Sequence, residues 1–367
     1  MLFPPRRVRN SRPRDLPVPP CSPPPHPAVR YIGQTRRRTS ADLVANGGTP
    51  TLHDVHTHSF SPAYLALLEE AGGVRIDRSG AGYPRIVWQG IPTVTLRPGT
   101  YDPFARLHDL RQRDVSLHIV STTVPNVYPF APRLQARAAR IINDDLARWR
   151  DQHPDRLRGL ASIPADSDDA LAEVDRATDE LGLSGFVMGT HLGAAELDDP
   201  HYAPIFRRLN DRAARVLLHP MLPAAGPKHL GDHDLVSLVG FVADTTEVVA
   251  RLWFGGFFAR YPRIRFILPQ AGGSALWLLG RWRFGWPASA IPPGPLPPNV
   301  FYDTLLFSPE AVAFAAGQVG SDHLLFGSDY PHLGNAEQVW HDVLGANLGA
   351  TATEAIGWGN ATRLFAD

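Results

Sequence analysis

Cysteine and lysine are almost absent from this sequence, and each scarcity excludes a kind of chemistry. Cys21 is the only cysteine among 367 residues, so the chain forms no internal disulfide and builds no cysteine-ligated metal site. Lys228 is the only lysine, and the other basic residues are arginine, which leaves little scope for Schiff-base catalysis. Catalytic chemistry in this chain must therefore come mainly from histidine, carboxylate and arginine side chains.

Net charge and long apolar runs are also lacking. The 36 basic and 36 acidic residues balance, which gives no reason to expect nucleic acid or an anionic membrane as a partner. No apolar run approaches the roughly 20 residues that a membrane-spanning helix needs. We therefore expect a soluble, cytoplasmic protein whose main partner is a small molecule bound in a pocket.

The first 48 residues have no apolar pattern. They are rich in proline and carry nine arginines against one acidic residue through Arg38. Such a segment buries too little apolar surface to offset the entropy of ordering, which predicts a disordered Pro/Arg-rich arm over 1–48 and a folded domain over 49–367. The arm lacks the apolar centre of a secretory signal, which leaves a targeting or interaction arm or an over-long gene start.

Beyond residue 48, short apolar runs alternate with segments whose apolar residues recur every three or four positions. This alternation predicts an α/β fold in which helices cover a parallel sheet. Eight units fit a (β/α)8 TIM-type barrel better than a doubly wound sheet, and no glycine-rich dinucleotide-binding turn follows the first run. Residues 59–100 are expected to form an insertion after the first strand, with a hairpin over 83–96. The predicted strands are 50–58, 115–123, 157–163, 184–190, 214–220, 264–270, 299–305 and 323–331.

Polar residues stand at the ends of three predicted strands. The first strand ends in His56 and His58, the fifth in His219, and the eighth leads into Asp329. Residues two apart on a strand point to the same side, and barrel enzymes build their sites at the carboxyl ends of the strands. Each residue alone would more often be structural. Together they form an N3O donor set with room for a water, which predicts a catalytic metal site.

These motifs resemble the amidohydrolase superfamily. The sequence reads "DVHTH" at the first strand, "LLHP" at the fifth, Gly-Gly after the sixth and "GSDYP" at the eighth. The likeness is strongest to the aminocarboxymuconate-semialdehyde decarboxylase-like branch of metal-dependent, non-oxidative decarboxylases. It extends from about His53 to Phe365 and includes the longer stretch "GGFFARYPRIRFILPQAGG".

The resemblance implies one metal-dependent amidohydrolase-type barrel over 49–367 and a homodimer as the usual assembly. It also implies one Zn²⁺ per chain, with Mn²⁺, Fe²⁺ or Co²⁺ possible and no organic cofactor. One ion is expected rather than two, since binuclear relatives hold a carboxylated lysine where the fourth strand here ends in Gly189-Thr190-His191, and Lys228 lies well beyond the fifth strand. The implied metal ligands are His56, His58, His219 and Asp329.

Gln270 departs from the family pattern. The family usually has a catalytic histidine before the Gly-Gly turn, where this sequence reads "LPQAGG". A glutamine can orient a water molecule but cannot exchange a proton at neutral pH. Three hypotheses follow. In the first, Asp329 and a metal-bound water move the proton alone while Gln270 keeps a hydrogen bond. In the second, His332, with His191 behind it, replaces the lost histidine. In the third, the site binds metal without catalysis.

The residues that would hold a substrate carboxylate match the family only in part. Arg281 in "LLGRW" matches one family arginine, but Ser289 stands eight residues later, and Arg97 is the arginine available in the insertion. Arginine suits a carboxylate because its planar fork binds both oxygens. We expect substrate contacts from Arg281, Arg97 and His191. An aromatic group fits a core or dimer face, or a wall for a planar acid: Trp277, Trp282, Phe284 and Trp286.

The expected enzyme is a carboxy-lyase that removes CO₂ from an aromatic or conjugated carboxylic acid. Asp329, Gln270 and His332 are its candidate catalytic residues. The main alternative is a metal-dependent hydrolase of a carbon-carbon, lactone or amide bond on the same barrel. A second alternative, raised only by Gln270, is a divergent homologue without catalytic activity.

Overall fold

A barrel of parallel strands dominates the computed structural model, which describes residues 52–366 apart from 81, 193–194, 224–229, 231, 286–295 and 333–335. The strands are β1 Leu52–His58, β2 Val74–Asp77, β3 Arg85–Trp88, β4 Ile91–Thr95, β5 Val115–Ser121, β6 Leu157–Ser162, β7 Gly185–Gly189, β8 His191–Leu192, β9 Ala195–Glu196, β10 Arg215–His219, β11 Arg265–Leu268, β12 Val300–Asp303 and β13 Leu324–Leu325. The helices are α1 Pro62–Ala71, α2 Pro98–Tyr101, α3 Pro103–Gln112, α4 Pro132–Gln152, α5 Ala170–Asp179, α6 Ala203–Asp211, α7 Phe241–Phe254, α8 Phe257–Arg260, α9 Ala275–Gly285, α10 Pro309–Val319, α11 Ala336–Gly345, α12 Ala350–Glu354 and α13 Asn360–Leu364.

Eight of these strands pair in the order β1-β5-β6-β7-β10-β11-β12-β13. The last strand returns to the first: the amide of Val55 donates to the carbonyl of Phe326 at 3.0 Å, and the amide of His58 donates to the carbonyl of Tyr330 at 2.7 Å. Each of the eight predicted runs contains one of these strands, and helices lie between them. The predicted (β/α)8 TIM-type barrel is therefore confirmed.

Several helices begin at a proline that follows a capping side chain. The side chains of Ser61, Asp102 and Ser308 accept hydrogen bonds from backbone amides in the first turns of α1, α3 and α10. A proline fits the first helical position because its missing N–H has no partner there in any helix. These Ser-Pro and Asp-Pro pairs fix where the chain leaves a strand or loop and turns onto the outside of the barrel.

The barrel interior is a packed core. Buried apolar side chains from seven of the eight strands form one cluster, and Ala361, Leu364 and Phe365 at the end of the chain pack against it. A barrel of this kind encloses layers of side chains and no open pore. The strand residues of the cluster are Val55, Leu117, Ile119, Leu160, Val187, Leu217, Ile267 and Leu325.

A β-bulge in β1 sets the direction of its histidines. The register of β1 against β5 shifts by one residue between Asp54 and Thr57. A bulge allows two consecutive side chains to face the same side of a sheet. Val55 can therefore join the interior cluster while the next residue, His56, also faces inward, and His58 follows it two positions later. Strict alternation from Val55 would have turned both histidines toward the helices.

The segment after β1 forms the predicted insertion. It contains α1 and an antiparallel sheet in the order β2-β3-β4, and β3 and β4 form the expected hairpin. Buried residues of this sheet, including Ile76, Ile86 and Val94, belong to the larger core cluster that also packs the helices onto the barrel. The insertion is thus joined to the barrel by apolar packing, and α2 and α3 lead the chain back to β5.

Two strands that lead to the candidate site are shorter than their predicted runs. The backbone of Gln270 and Ala271, just after β11, adopts left-handed conformations with φ of 55° and 50°. Asp329, beyond β13, has φ of 59°. Left-handed residues cannot continue a strand, so neither predicted run extends as sheet through these positions. Among the described helices, none is long and apolar enough to cross a membrane.

The predicted arm over 1–48 and the residue Lys228 lie outside the described residues. The described residues belong to one compact unit, and the boundary between arm and barrel stays a prediction.

Leu217→Ala tests the interior core. Leu217 is fully buried in the barrel cluster, so its truncation should lower the free energy of unfolding by about 2–5 kcal/mol. Leu238→Ala is the matched control because Leu238 is 62% exposed, and its cost should stay below about 0.5 kcal/mol. Urea unfolding measures both. Equal effects of the two substitutions would contradict the packed interior.

Candidate metal centre

The four predicted ligands meet at the carboxyl ends of the barrel strands. One ligand atom from each lies within 4.8 Å of the others, and all four residues are buried. Asp329 Oδ1 lies 3.0 Å from His58 Nε2 and 3.8 Å from His56 Nε2. The structure therefore brings together side chains from β1, from β10 and from the loop after β13, as the sequence predicts. We call this group, His56, His58, His219 and Asp329, the ligand cluster.

The donor atoms of the ligand cluster fit a divalent ion. The Nε2 atoms of His56 and His58 are buried, and neither has a hydrogen-bond partner among the described residues. Buried polar atoms normally have partners, so such atoms call for an ion or a water. Three imidazoles and a carboxylate suit Zn²⁺, Mn²⁺, Fe²⁺ or Co²⁺. Within the described part of the chain, this is the one group of histidine and acidic side chains that could hold a metal.

Polar groups around the ligand cluster orient its imidazoles. His56 Nδ1 donates to Asp303 Oδ2 at 2.6 Å. The Ser121 hydroxyl lies 3.1 Å from His58 Nδ1, and the carbonyl of Pro220 lies 2.9 Å from His219 Nδ1. The Thr123 hydroxyl lies within 2.9 Å of both ring nitrogens of His219. Partners of this kind select the tautomer and orient the ring of a metal ligand. For His56 and His58 the contacts leave Nε2 pointing toward the centre of the ligand cluster.

Burial keeps two of the histidines in the neutral form that binds metal. It lowers the pKa of His58 and of His219 well below the usual value, and the neighbouring imidazoles add to this shift. For His56, burial also lowers the pKa, but the hydrogen bond and charge of Asp303 outweigh it and the net shift is upward. A more basic imidazole is a stronger metal donor, so Asp303 makes His56 a better ligand.

Asp303 is a functional residue that the sequence analysis missed. It ends β12 and is fully buried. Besides holding His56, its carboxylate accepts the backbone amides of Gln270 at 2.6 Å and Leu305 at 3.1 Å. Asp303 thus connects a metal ligand to the turn that carries Gln270. The rule that singled out Asp329, a polar residue at the end of a predicted strand, would also have found Asp303.

The two other candidate catalytic residues lie beside the ligand cluster. The His332 ring stacks on the His58 ring, with centroids 5.3 Å apart and planes 12° apart. Neither nitrogen of His332 has a hydrogen-bond partner among the described residues, and burial lowers its pKa to about 4. Gln270 is anchored through its backbone, and its side-chain Oε1 is buried with no described partner. Both residues therefore have unused hydrogen-bonding capacity.

The three expected substrate-binding residues differ in their surroundings. Arg97 is exposed, and its guanidinium carbon lies 5.8 Å from the centroid of the Tyr83 ring. Its charge nevertheless contributes to the lowered pKa of His332. Arg281 is exposed on α9. His191 Nε2 lies 2.9 Å from the carbonyl of Leu222. A role in substrate binding stays a prediction for all three residues.

Fold and site together define a class of protein. Imidazoles and a carboxylate converge at the carboxyl ends of a (β/α)8 barrel, as in metal-dependent barrel enzymes. The chain belongs to the amidohydrolase family, whose model matches residues 54–366. The resemblance drawn from "DVHTH", "LLHP" and "GSDYP" is therefore confirmed.

Known decarboxylases are similar to this chain. The 2-amino-3-carboxymuconate-6-semialdehyde decarboxylase of Dictyostelium discoideum is 28% identical over 292 residues, which cover 76% of this chain and 81% of that protein. The gamma-resorcylate decarboxylase of a Polaromonas species is 27% identical, with coverage of 71% and 89%. A structure of 5-carboxyvanillate decarboxylase from Novosphingobium aromaticivorans, with bound manganese, has a TM-score of 0.73 at 20% identity and covers 87% of this chain and 98% of its own.

These relatives agree with the class that the sequence predicts. They are named decarboxylases, and decarboxylases are carboxy-lyases. The expected class, a carboxy-lyase of the amidohydrolase superfamily, is thus confirmed at the level of the relatives. The substrate and the metal of this chain are separate questions.

Asp303→Asn tests the support of His56. The NH₂ group of asparagine is a donor, and it would face either the His56 N–H or the two backbone amides, which are donors too. At least one hydrogen bond must therefore be lost. We expect Zn²⁺ affinity to fall by about 10- to 100-fold, measured by competition with a chromogenic chelator. Asp322→Asn is the matched control because Asp322 is an exposed acid just before β13, at the opposite end of the barrel. Unchanged affinity in Asp303→Asn would exclude this role.

Proposed function

We propose that this protein is a divalent-metal-dependent, non-oxidative decarboxylase of an aromatic or conjugated carboxylic acid. The observation that carries the proposal is the ligand cluster, in which four buried side chains bring their donor atoms within 4.8 Å of one another. Membership of the amidohydrolase family supports it. Relatives that are decarboxylases and match most of the chain support the reaction type.

We propose Zn²⁺ as the metal, one ion per chain, held by the ligand cluster, with Mn²⁺, Fe²⁺ or Co²⁺ as substitutes. When bound, such an ion supplies a positive charge that holds substrate oxygens and stabilises negative charge formed during the reaction. The nitrogen-rich donor set argues against Mg²⁺ and Ca²⁺, which prefer oxygen ligands. No organic cofactor is proposed: the reaction transfers no electrons to another molecule and needs no redox carrier, and the metal ion would stabilise the negative charge that forms.

Asp329 is proposed to move the proton. In the reaction the bond between the substrate carbon and its carboxylate breaks, CO₂ leaves, and the electron pair stays on the carbon. That carbon must gain one proton in exchange. Asp329 lies among the histidines, with its Oδ1 3.0 Å from His58 Nε2.

His332 is proposed to replace the histidine that the family usually has at the position of Gln270. Its low pKa leaves a neutral imidazole at neutral pH, and a neutral ring donates at one nitrogen while it accepts at the other. It can therefore relay a proton between substrate and Asp329. Gln270 is proposed to hydrogen-bond the substrate or a water through its unpaired Oε1.

Arg97, Arg281 and His191 are proposed to contact the substrate carboxylate. Arg97 rests on Tyr83 and is exposed, so its side chain is free to move when an anion binds. We also propose a homodimer in the cytoplasm. Trp277 and Phe284 on α9 are 76% and 94% exposed, which supports a subunit contact on this helix more than a place in the core.

Incubation with hydroxybenzoate-type and muconate-type acids tests the reaction. The expected result is CO₂ release, with one deuterium from deuterium oxide on the carbon that carried the carboxylate. In water labelled with oxygen-18, the organic product should contain no label. Mass spectrometry measures both labels. Asp329→Ala should abolish turnover, and Glu310→Ala, which removes an exposed acid on α10, should leave it unchanged.

Other outcomes would decide against the proposal. Oxygen-18 in the organic product would indicate a hydrolase acting on a carbon-carbon, lactone or amide bond. Full activity in Asp329→Ala would remove the assigned proton carrier. A metal-loaded protein that turns over none of a broad panel of such acids would favour a homologue without catalysis.

His332→Phe tests the proton relay. Phenylalanine keeps a flat ring against His58 but has no nitrogen, so kcat should fall by about 100-fold or more, while metal affinity should stay unchanged. His201→Phe is the matched control because His201 is an exposed histidine that packs against Tyr202. Gln270→His in the His332→Phe background should restore part of the lost kcat. Equal kcat values for His332→Phe and the wild type would leave Asp329 as the sole proton carrier.

A further inference from the structure

Arg106 on α3 is a buried arginine directly behind the metal ligands of β1. It is 0% exposed. Its guanidinium donates to the carbonyl of His58 and, at 3.2 Å, to the hydroxyl of Thr57, while its Nε donates to the carbonyl of Gly99 at 3.1 Å. Burial lowers the pKa of Arg106 to about 10, so the group still carries its charge at neutral pH.

Arg106 also contacts the loop that supplies Asp329. Its guanidinium carbon lies 4.9 Å from the centroid of the Tyr330 ring, and Tyr330 is the next residue after Asp329. The hydroxyl of Tyr330 donates to Asp109 Oδ2 at 2.7 Å. The backbone carbonyl of Tyr330 accepts a hydrogen bond from the amide of His58 at 2.7 Å. One flat side chain thus lies against both the peptide of His58 and the neighbour of Asp329.

Charge pairing does not account for this arrangement. No carboxylate of the described residues forms an ion pair with Arg106, and Asp54 and Asp109 attract it only at longer range. A buried cation without a paired anion is costly, and a divalent ion in the ligand cluster would repel it. The hydrogen bonds that the guanidinium donates offset this cost, because its planar group can bond several fixed acceptors at once.

We propose that Arg106 is a positioning residue for the metal centre. It fixes the end of β1, which delivers His58, relative to the loop after β13, which delivers Asp329. Arg106 acts through the His58 carbonyl and the Tyr330 ring and contacts no reacting atom. The inference rests on the proposed metal site, but it concerns metal affinity and can be tested without any substrate.

Gly99 is a second part of the same arrangement. Its carbonyl accepts from Arg106, and a Cβ added at Gly99 would overlap the hydroxyl of Tyr330. The close approach of this backbone to Tyr330 therefore requires glycine. Gly99→Ala should displace the Tyr330 ring while leaving the charge of Arg106 in place, which separates the effect of position from the effect of charge.

The test measures the Zn²⁺ affinity of the apo-protein, by competition with a chromogenic chelator, in the wild type and in three variants. Arg106→Gln removes the charge and most donors, and its affinity should fall by about 10- to 100-fold. Arg106→Lys keeps the positive charge but lacks the planar guanidinium. Its Zn²⁺ affinity should also fall, but by less than in Arg106→Gln. Gly99→Ala should lose affinity too. The visible absorption of bound Co²⁺ should differ from the wild type in each variant, which reports altered ligand geometry.

Arg156→Gln is the matched control. Arg156 is a partly buried arginine that donates to the carbonyl of Val115 at 2.9 Å, at the opposite end of the barrel, so its loss should leave Zn²⁺ affinity and the Co²⁺ spectrum unchanged. If Arg106→Gln does not fold, Arg106→Lys and Gly99→Ala decide the question. Wild-type affinity in these variants, tighter binding in Arg106→Gln, or an equal loss in Arg156→Gln would overturn the inference. A wild-type protein that binds no metal would instead overturn the proposed function.

Discussion

The closure of the barrel between its first and last strands is the constraint on which the candidate site depends. The amide of His58 bonds the carbonyl of Tyr330, and the amide of Val55 bonds that of Phe326. These two hydrogen bonds join segments more than 270 residues apart and set Asp329 beside the two histidines of β1. Without that closure, Asp329 would have no fixed distance to them, and the four donors could not share one ion.

The polar groups around the ligand cluster form a buried support for it. Asp303, Ser121 and the carbonyl of Pro220 each contact the Nδ1 atom of one imidazole, and Arg106 holds the backbone behind His58. Buried polar groups are costly when unpaired and rigid when paired. Among the described residues of the ligand cluster, the Nε2 atoms of His56 and His58 are buried without a hydrogen bond, which marks the place where an ion belongs.

The sequence predicted the barrel and the four ligands because both depend on local periodicity and on strand ends. It missed the bulge in β1, since a one-residue shift changes no composition and appears only when β1 pairs with β5. It also missed the left-handed turns at Gln270 and Asp329, where non-glycine residues adopt a conformation that tertiary contacts must hold. Arg106 was hidden for a different reason, because nothing local distinguishes a buried arginine on α3 from the exposed arginines that surround it in the sequence.

The turn at Gln270 explains how a histidine position can accept glutamine without loss of the site's structure. Its left-handed backbone is held by the bond from its amide to Asp303, and the same carboxylate orients His56. The first hydrogen bond uses the backbone amide of Gln270, and the second uses the ring of His56. Neither therefore depends on the side chain at position 270. A substitution at position 270 can therefore change the residue that carries the proton without disturbing the hydrogen bond that orients His56. His332, the proposed replacement, stacks on His58 from the loop after β13, so its position does not depend on the side chain at residue 270.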